Sequence, residues 1–383
     1  MTVERSGKPV IAHYSDAFFQ GSETFIYQYI SRLRRFKPIC IATRFVNLDQ
    51  FPFPADDIYG DSSQGRNAAW LYRGLNRRFL NRDPLLTKKL ESNGCCLIHA
   101  HYGQNGCLAI SSKRRLDLPL VTTFYGLDFS RKDILKRYKR RYKALFEEGD
   151  LFFVLGPHMR ERLIEMGCPP EKVGIQRIAI PVGKVSFRLR KPKKQGEKIQ
   201  ILFAGRFVEK KGLVYALQAL KKVSTINNDF VFHIVGDGPL RHQFELYVQQ
   251  ESLNDHVRFL GFLPYSEYLA EIEASDFFLH PSVTAESGDS EGTPTVILEA
   301  QAHGLPVIST YHADIPNIVV PGKSALLSPE RDVESLVRHI LFLFENQDLW
   351  EALGSCGREF VERYHDIEKE IEELENRYAS LLS

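Results

Sequence analysis

The chain of 383 residues is too long for one ordinary hydrophobic core, so two domains of roughly 150 to 200 residues are expected. A composition of 43% hydrophobic and 26% charged residues excludes a disordered or fibrous protein. No run of about 18 apolar residues occurs, and the start MTVERSGKPV lacks the apolar segment of a secretory signal, which together predict a cytoplasmic protein.

The formal charge of +2 hides an imbalance between the two halves of the chain. Residues 1–200 hold 36 Lys and Arg against 19 Asp and Glu, which gives +17, whereas residues 201–383 hold 14 against 29, which gives −15. A basic half predicts an anionic partner, and nucleic acid, a membrane face and phosphorylated substrates are all compatible with it.

Strand-like apolar runs alternate with helix-like segments along the whole chain. These runs lack polar alternation, which is typical of parallel strands covered on both faces. In chain order, the predicted strands are residues 9–15, 38–43, 96–100, 119–124, 151–155, 199–205, 230–236, 257–262, 277–280, 306–310 and 325–328. Each half therefore predicts a doubly wound α/β domain.

A polar, basic segment with Pro and Gly, FRLRKPKKQGEK at 187–198, is the predicted linker. It separates a first domain at 1–186 from a second at 199–365. The charged helix predicted at 366–383 carries an apolar stripe, and it either caps the second domain or packs on the first. Two similar α/β domains favour a ligand in the crevice between them, at the carboxyl ends of the strands.

Two cations lie between a predicted strand and a predicted helix. In RFVEKKG, Arg206 ends the strand and Lys211 begins the helical pattern. Cations there oppose the helix macrodipole, which favours anions. A bound diphosphate would remove the conflict, because backbone N–H groups and both side chains could converge on it. Two solvated surface cations are the alternative.

Two glutamates bracket Pro294 in EGTPTVILEA at 291–300. The pattern predicts that Thr293 caps a helix whose first residue is Pro294. Glu291 then precedes the helix and Glu299 lies inside it. The two carboxylates are therefore expected to meet different parts of a ligand lying over the helix N-terminus, with a plain surface role as the alternative for each.

Several motifs, in order and spacing, resemble the second domain of the family 4 retaining glycosyltransferases. They are Gly205-Arg206, Lys211-Gly212, GDGP at 236–239, GFLP at 261–264, the two glutamates with seven residues between them, and EAQAHGLPVIST. Looser matches at 18–30, 98–106 and 122–128 extend the resemblance into the first half. The segments SETFI and DSEGTPTVILEA are most similar to those of enzymes that build bacterial exopolysaccharides such as colanic acid. The resemblance implies the GT-B fold, with two Rossmann-like domains facing across a cleft.

The resemblance also implies roles for individual residues. Arg206 and Lys211 would bind the donor diphosphate and stabilise it as it leaves. Glu291 would meet the donor sugar hydroxyls and Glu299 the ribose hydroxyls. The remaining implied donor contacts are Gly21, Gly205, Gly236, the base pocket at Gly261, Phe262 and Leu263, and the backbone at Gly292, Thr293, Pro294, Thr295 and Val296.

On the first domain, His101, Tyr125 and Asp128 would face the donor sugar and the acceptor. His99 and His101 are equally typical of strand-end packing, and only His101 is kept as a candidate. Many relatives carry a histidine where Tyr125 stands, so the role of that histidine has no direct counterpart here. The segment HADIPN at 312–317 also departs from the usual glycine-rich, glutamate-ending form, which affects the local loop.

Metal and cofactor chemistry are not expected. The chain has no Asp-x-Asp pair, which predicts a leaving group neutralised by Arg206 and Lys211 and not by a metal. The six cysteines show neither disulfide density nor paired metal-ligand spacing, so reduced thiols are expected.

The segment RKDILKRYKRRYKALF at 131–146 places apolar residues at helical spacing with cations around them. One interpretation is a solvated helix packed on its own domain. The other is a surface on the basic first domain that meets anionic lipid headgroups, as an enzyme with a lipid-linked acceptor requires.

The sequence therefore predicts a retaining hexosyltransferase, peripheral at the inner face of the cell membrane, that moves a sugar from a UDP- or GDP-linked donor to a lipid-linked saccharide or related acceptor. A non-catalytic protein binding nucleic acid is a weaker alternative, because the chain contains no nucleic-acid motif. A sugar-nucleotide epimerase or a sucrose-phosphate-synthase-like enzyme on the same fold is the third hypothesis.

Overall fold

The computed structural model describes residues 7–20, 23–60 and 68–383. The chain divides into two compact units, one formed by Met1–Arg177 with Ile367–Ser383 and the other by Ile178–Asp366. Each unit is a parallel α/β domain, as the alternating sequence pattern predicts.

The first unit is built on a parallel sheet. Its strands are β1 (Val10–Tyr14), β2 (Ala17–Phe18), β3 (Lys37–Ile41), β4 (Arg44–Phe45), β5 (Ile58–Tyr59), β6 (Leu97–His101), β7 (Leu120–Thr123), β8 (Leu151–Val154) and β9 (Val173–Ile175). Its helices up to the division are α1 (Thr24–Ile30), α2 (Ala68–Phe79), α3 (Pro84–Ser92), α4 (Gly103–Leu116), α5 (Leu127–Ser130), α6 (Lys132–Glu148) and α7 (Pro157–Glu165). The sheet order is β5-β3-β1-β6-β7-β8-β9, and β2 pairs separately with β4.

The second unit repeats this plan. Its strands are β10 (Ile199–Ala204), β11 (Phe230–Val235), β12 (Val257–Gly261), β13 (Phe277–Leu279), β14 (Val307–Thr310) and β15 (Ala325–Ser328). Its helices are α8 (Leu213–Ser224), α9 (Arg241–Gln250), α10 (Tyr265–Ala274), α11 (Thr295–Ala302), α12 (Val333–Glu345) and α13 (Trp350–Tyr364). The order β12-β11-β10-β13-β14-β15 is parallel throughout, and both faces are covered by the apolar sides of helices.

All eleven predicted strands are present. The strands that the sequence pattern missed, β2, β4, β5 and β9, are each no longer than three residues. A segment that short contains too few residues for hydrophobic periodicity to be recognised.

The basic segment at 187–198 packs on the second unit, and the division of the chain falls before it, between 177 and 178. The Arg190 side chain is buried, and its guanidinium donates to the carbonyl oxygens of Ile272, Ser275 and His303. Lys193 pairs with Asp276 at 2.9 Å. Composition suggested a linker because the cations are visible in the sequence, whereas the groups that bind them belong to residues far away in the chain.

The last helix, α14 (Ile367–Leu382), belongs to the first unit. Glu375 is buried and accepts hydrogen bonds from the backbone N–H groups of Arg34 and Arg35, both at 2.6 Å. Tyr378 is fully buried, and its hydroxyl lies 2.5 Å from His99 Nδ1. Of the two sequence-based alternatives, packing on the first domain is the one observed.

Helix α6 packs its apolar stripe on its own unit. Tyr142, Leu145 and Phe146 are buried, and the ring of Tyr142 lies edge-on to Phe124 with centroids 5.6 Å apart. The cations of the helix face solvent, so Tyr142, Leu145 and Phe146 are not available to a membrane.

In both sheets the strand order reverses at one point, between β1 and β6 in the first unit and between β10 and β13 in the second. At such a point the loops leaving neighbouring strands diverge, and ligands of doubly wound proteins bind at the carboxyl edge there. The loops that follow β10 and β13 carry the predicted donor residues. Those that follow β1 and β6 adjoin His101.

No helix within the described ranges is both long and apolar enough to cross a bilayer. All six cysteines lie within the described residues, and none of them forms a disulfide there.

Candidate active site

The loop after β10 carries the two predicted cations of the second unit. Arg206 is exposed, one residue beyond Gly205. Lys211 immediately precedes Gly212, which is the N-cap of α8 and has a φ of +67°. A Cβ at Gly212 would lie 1.8 Å from the carbonyl oxygen of Pro281. Glycine is therefore required here, because it lets this loop approach the loop that follows β13.

Lys211 and Glu291 form a buried ion pair. The ammonium lies 2.7 Å from Glu291 Oε1, and Glu291 is only 5% exposed. Ser282 Oγ donates to the same oxygen at 3.3 Å. Burial by itself would raise the pKa of Glu291, but the Lys211 charge holds that pKa well below its usual range. The site thus contains a carboxylate that is ionised at neutral pH, beside a cation.

The backbone of Glu291 is fixed by a histidine that sequence reasoning did not select. The N–H of Glu291 donates to His312 Nε2 at 3.0 Å, so the ring proton lies on Nδ1, which donates to Glu330 at 2.6 Å. Burial opposes ionisation of Glu330, yet the hydrogen bond from His312 is among the interactions that lower its pKa to about 2. The only sequence signal was that HADIPN departs from the usual form; its partner Glu330 lies in a separate loop.

Helix α11 begins one residue later than predicted. Pro294 is its N-cap with φ −71° and ψ 104°, and the first helical residue is Thr295. The prediction that Thr293 caps this helix is wrong, because its buried Oγ1 has no hydrogen-bond partner among the described residues. The backbone N–H groups of Thr295 and Val296 have no intrahelical acceptor, and a helix terminus of this kind suits a phosphate.

Glu299 lies inside α11 next to two tyrosines. Tyr268 donates its hydroxyl to Glu299 Oε2 at 3.1 Å, and burial raises the pKa of this carboxyl to about 7. Tyr265 is exposed nearby on α10. Glu291 and Glu299 thus differ in charge state as well as in position.

The predicted base-pocket segment follows β11 and β12. Phe262 is 78% exposed, directly after Gly261 and before Leu263, and a ring so exposed can stack on a planar base. Gly236 has a φ of +132°, and a Cβ there would lie 2.0 Å from the carbonyl oxygen of Gly205. Gly236 therefore acts through backbone packing, since it allows the loop that carries Arg206 to pass over the end of β11.

In the first unit, His101 and Asp128 hold Tyr125 from behind. His101 Nδ1 lies 2.6 Å from the Tyr125 hydroxyl, and His101 is only 3% exposed. Asp128 is fully buried and accepts from the backbone N–H groups of Gly103, Tyr125 and Gly126 at 3.0 Å each. Burial raises the pKa of Asp128 to about 6. Tyr125 is the least buried of the three predicted residues. The remaining first-domain candidate, Gly21, lies outside the described residues.

Sequence reasoning missed His13, on β1. His13, His99 and His101 are the one group among the described residues whose potential metal ligands lie within 4.8 Å of one another. The rings of His99 and His101 are stacked at 4.6 Å, and His99 is hydrogen-bonded to both Tyr378 and Thr123. The strand register explains the cluster, because His13 is paired with His99 across β1 and β6.

Two parallel α/β units with polar loops at their switch points define the architecture of the GT-B glycosyltransferases. A solved structure of Anabaena HepE in complex with UDP superposes with a TM-score of 0.79, covering 98% of this chain and all of that one at 16% identity. The predicted fold is thereby confirmed. The identity is too low for the likeness to show more than the fold.

Two family models match the chain. The one described as Glycosyltransferase Family 4 covers residues 19–176, and the one described as Glycosyl transferases group 1 covers residues 186–360. WcaL of Escherichia coli K12, whose name refers to colanic acid biosynthesis, is 34% identical over 286 residues. That match covers 74% of this chain and 69% of WcaL. The protein therefore belongs to the glycosyltransferase family that these two models describe, with a family 4 domain followed by a group 1 domain. This membership favours an enzyme over a non-catalytic nucleic-acid-binding protein.

A second relative, the amylovoran biosynthesis glycosyltransferase AmsK of Erwinia amylovora, is 35% identical over 249 residues. The match covers 64% of this chain and 61% of AmsK. The chain thus matches about two thirds of the length of these curated relatives.

Proposed function

We propose that the protein transfers a sugar from a nucleotide-sugar, linked to UDP or GDP, to a saccharide acceptor during exopolysaccharide synthesis. The observation that carries this proposal is the Lys211–Glu291 ion pair in front of α11. It places a cation, a carboxylate and free backbone N–H groups together, and these are the groups that a sugar diphosphate requires. The names of WcaL and AmsK support a role in exopolysaccharide synthesis, and the UDP bound to HepE supports a nucleotide-sugar as the donor.

The donor extends along the second unit in this proposal. Arg206 and Lys211 bind the diphosphate, together with the N-terminus of α11. Glu291 accepts hydrogen bonds from the sugar hydroxyls, and Glu299 accepts them from the ribose. The base stacks on Phe262, the exposed ring after β12.

The proposed reaction retains the anomeric configuration and uses no protein nucleophile. The acceptor oxygen forms its bond to the anomeric carbon on the face from which the phosphate oxygen departs, and that phosphate oxygen takes the acceptor proton. Glu291 is a poor candidate for the nucleophile, because Lys211 neutralises it and holds its pKa low. The two cations stabilise the leaving diphosphate, and the proposed reaction uses no metal, as the lack of an Asp-x-Asp pair suggests.

A thermal-shift screen with UDP, GDP and their sugars tests the donor proposal. A ligand present at about 100 times its dissociation constant adds about 2.7 kcal/mol to stability, so the correct nucleotide is expected to raise the melting temperature clearly. Inosine monophosphate at the same concentration serves as the control. If no nucleotide raised the melting temperature above this control, the proposed function would be rejected.

Donor affinity is expected to rise with pH through about 7. The carboxyl of Glu299 has a pKa of about 7, so it is mainly protonated at pH 6 and mainly ionised at pH 8, where it accepts two ribose hydroxyls. A nucleotide-sugar is the appropriate probe, because both of its phosphates are diesters and keep their charge over this range. Calorimetry at pH 6, 7 and 8 measures the trend. Glu299→Gln is expected to bind more weakly without the trend; an unchanged pH dependence in this variant would assign it to another group.

We further propose a lipid-linked acceptor and contact with an anionic membrane through the first unit. Helix α2 exposes Tyr72, Leu75 and Phe79, which share a helical face. Arg141 of α6 donates to the carbonyl oxygen of Arg78, which places the cations of α6 next to this helix. Exposed apolar rings flanked by cations are typical of peripheral membrane surfaces.

Sedimentation with vesicles containing phosphatidylglycerol tests this contact. Each cation near the surface contributes about 1 kcal/mol, so Lys136→Gln/Arg137→Gln/Arg140→Gln is expected to weaken binding by about 100-fold. The matched control removes three exposed cations from the second unit, Lys191→Gln/Lys194→Gln/Lys198→Gln. Equal loss in both variants would contradict a specific surface, and failure of the wild-type protein to bind would contradict membrane contact.

A further inference from the structure

Three side chains at the switch point of the first sheet form a hydrogen-bonded chain that leads outward. His13 Nδ1 lies 3.0 Å from His101 Nε2, and His101 Nδ1 lies 2.6 Å from the Tyr125 hydroxyl. His13 and His101 are almost completely buried, whereas Tyr125 is only partly buried. The chain therefore runs from the interior of the unit toward its carboxyl edge.

Both imidazoles are neutral. Burial is the main reason that the pKa values of His13 and His101 lie well below the usual value, and a neutral ring carries one donor and one acceptor nitrogen. Two proton arrangements are then possible along the chain. Either every donor points toward Tyr125, or every donor points inward toward His13.

The unpaired nitrogen of His13 distinguishes the two arrangements. His13 Nε2 is buried without a hydrogen-bond partner among the described residues. If the donors pointed inward, this atom would be a buried N–H without an acceptor, which is rarer in proteins than a buried acceptor without a donor. The outward arrangement leaves a bare nitrogen there, with Nδ1–H of His13 donating to His101 and Nδ1–H of His101 donating to Tyr125.

Tyr125 then accepts from behind and keeps its own proton. Burial is the main reason that the pKa of Tyr125 lies well above its usual value, so the phenol is not ionised near neutral pH. The ring of Tyr125 is held by contacts with Phe25 and Tyr102, at centroid distances of 5.2 and 4.9 Å. Both the ring and the direction of its hydroxyl are therefore set by the fold.

We infer that Tyr125 presents a hydrogen-bond donor to an oxygen atom of the glycosyl substrate, and that the buried His13–His101 pair fixes this polarity. The inference rests on the proposed function for the identity of the substrate. Tyr125 is the catalytic residue in this arrangement. His13, which lies two hydrogen bonds away, is a positioning residue.

A metal bound by His13, His99 and His101 is the competing use of these side chains. A metal requires three nitrogens converging on one point about 2.0–2.1 Å away. Here His99 and His101 are stacked with an interplanar angle of 15°, and both nitrogens of His101 face other side chains. The hydrogen bonds of these histidines account for the observed geometry, and their ring nitrogens do not converge on one metal position.

The tautomers can be measured without any assay of activity. In protein labelled with ¹⁵N-histidine, the ring nitrogen shifts of His13 and His101 are expected to show a proton on Nδ1 of both rings. The signals are assigned by their loss in His13→Asn and His101→Asn. A proton on Nε2 of His13 would overturn the inference, and so would one equivalent of Zn²⁺ held in equilibrium dialysis by wild-type protein but not by His13→Leu.

Kinetics then test the coupling between His13 and Tyr125. Tyr125→Phe and His13→Leu are each expected to lower kcat/KM by about five- to tenfold, the loss of one uncharged hydrogen bond. The double variant is expected to lose no more than Tyr125→Phe alone. His13→Asn, whose amide can still donate to His101, is expected to recover activity to within about twofold.

If His13→Leu lowered the activity of Tyr125→Phe by its full factor, its effect would be general packing and the inference would be wrong. Melting temperatures identify a variant that fails to fold, and in that case the His13→Asn result decides between the two outcomes: activity well below wild type overturns the inference. Absence of transfer by wild-type protein from any nucleotide-sugar rejects the proposed function, whereas the tautomer measurement concerns the hydrogen-bonded chain alone.

Discussion

Replacing Arg206 with alanine is expected to lower the rate of sugar transfer by about 100- to 1000-fold. Losing one charged contact to a developing negative charge costs about 2.7–4 kcal/mol of barrier. The folded state is expected to change little, within about 0.5 kcal/mol, because Arg206 is exposed and none of the ion pairs among the described residues includes it. Steady-state kinetics with the identified donor, together with melting temperatures, measure both effects.

The matched control for this variant is Arg338→Ala, which removes another exposed arginine of the second unit, on α12. It changes the net charge equally and is expected to leave the rate unchanged. Near-normal turnover in Arg206→Ala would refute the stabilisation of the leaving diphosphate by this side chain. A fall in melting temperature similar to that of a core variant would instead assign it a structural role.

Replacing Lys211 with methionine is expected to destabilise the second unit by about 3–5 kcal/mol at pH 7, the cost of leaving one partner of a buried ion pair uncompensated. Glu291 would remain buried with its carboxylate facing an apolar chain. Urea unfolding followed by circular dichroism measures the loss. Lys211→Met/Glu291→Gln is the control, and it is expected to recover most of the stability because neither charge is left buried.

The pH dependence of this pair has a definite sign. In the wild-type protein the pKa of Glu291 is depressed, so its contribution to stability is fully present above its usual pKa of about 4.5 and is lost as pH falls from there through the lower pKa of the folded state. In Lys211→Met the burial effect raises this pKa, so protonation relieves the unpaired charge. The stability difference between the two proteins is therefore expected to shrink from pH 7 to pH 5. A constant difference would show that Lys211 stabilises through packing.

Much of the fold was predictable because parallel strands covered on both faces are long apolar runs in the sequence. The residues Arg206, Lys211, Glu291 and Glu299 could be proposed as donor contacts from the sequence for a related reason. They lie within ten residues of strand ends or helix starts, where turn chemistry and charge are visible locally.

The supporting residues of the site were not predictable in this way. His312 fixes the backbone of Glu291 across 21 positions, and His13 reaches His101 across 88. Neither residue lies in a pattern that marks it, since a buried histidine and a surface histidine look alike in a sequence. The error at Thr293 has a local origin, because the extended backbone of the next residue, Pro294, makes it the N-cap of α11.

The sequence by itself determined two α/β domains, the family of the enzyme, and the residues proposed for the donor site, because hydrophobic period and local motifs encode them. Only the tertiary structure decided the ionisation states and the interaction partners of these residues. It pairs Lys211 with Glu291, leaves Glu299 with a pKa of about 7, and places His13 behind His101. The physical reason is that ionisation and proton position depend on burial and on partners far away in the chain, which are set when the sheets assemble.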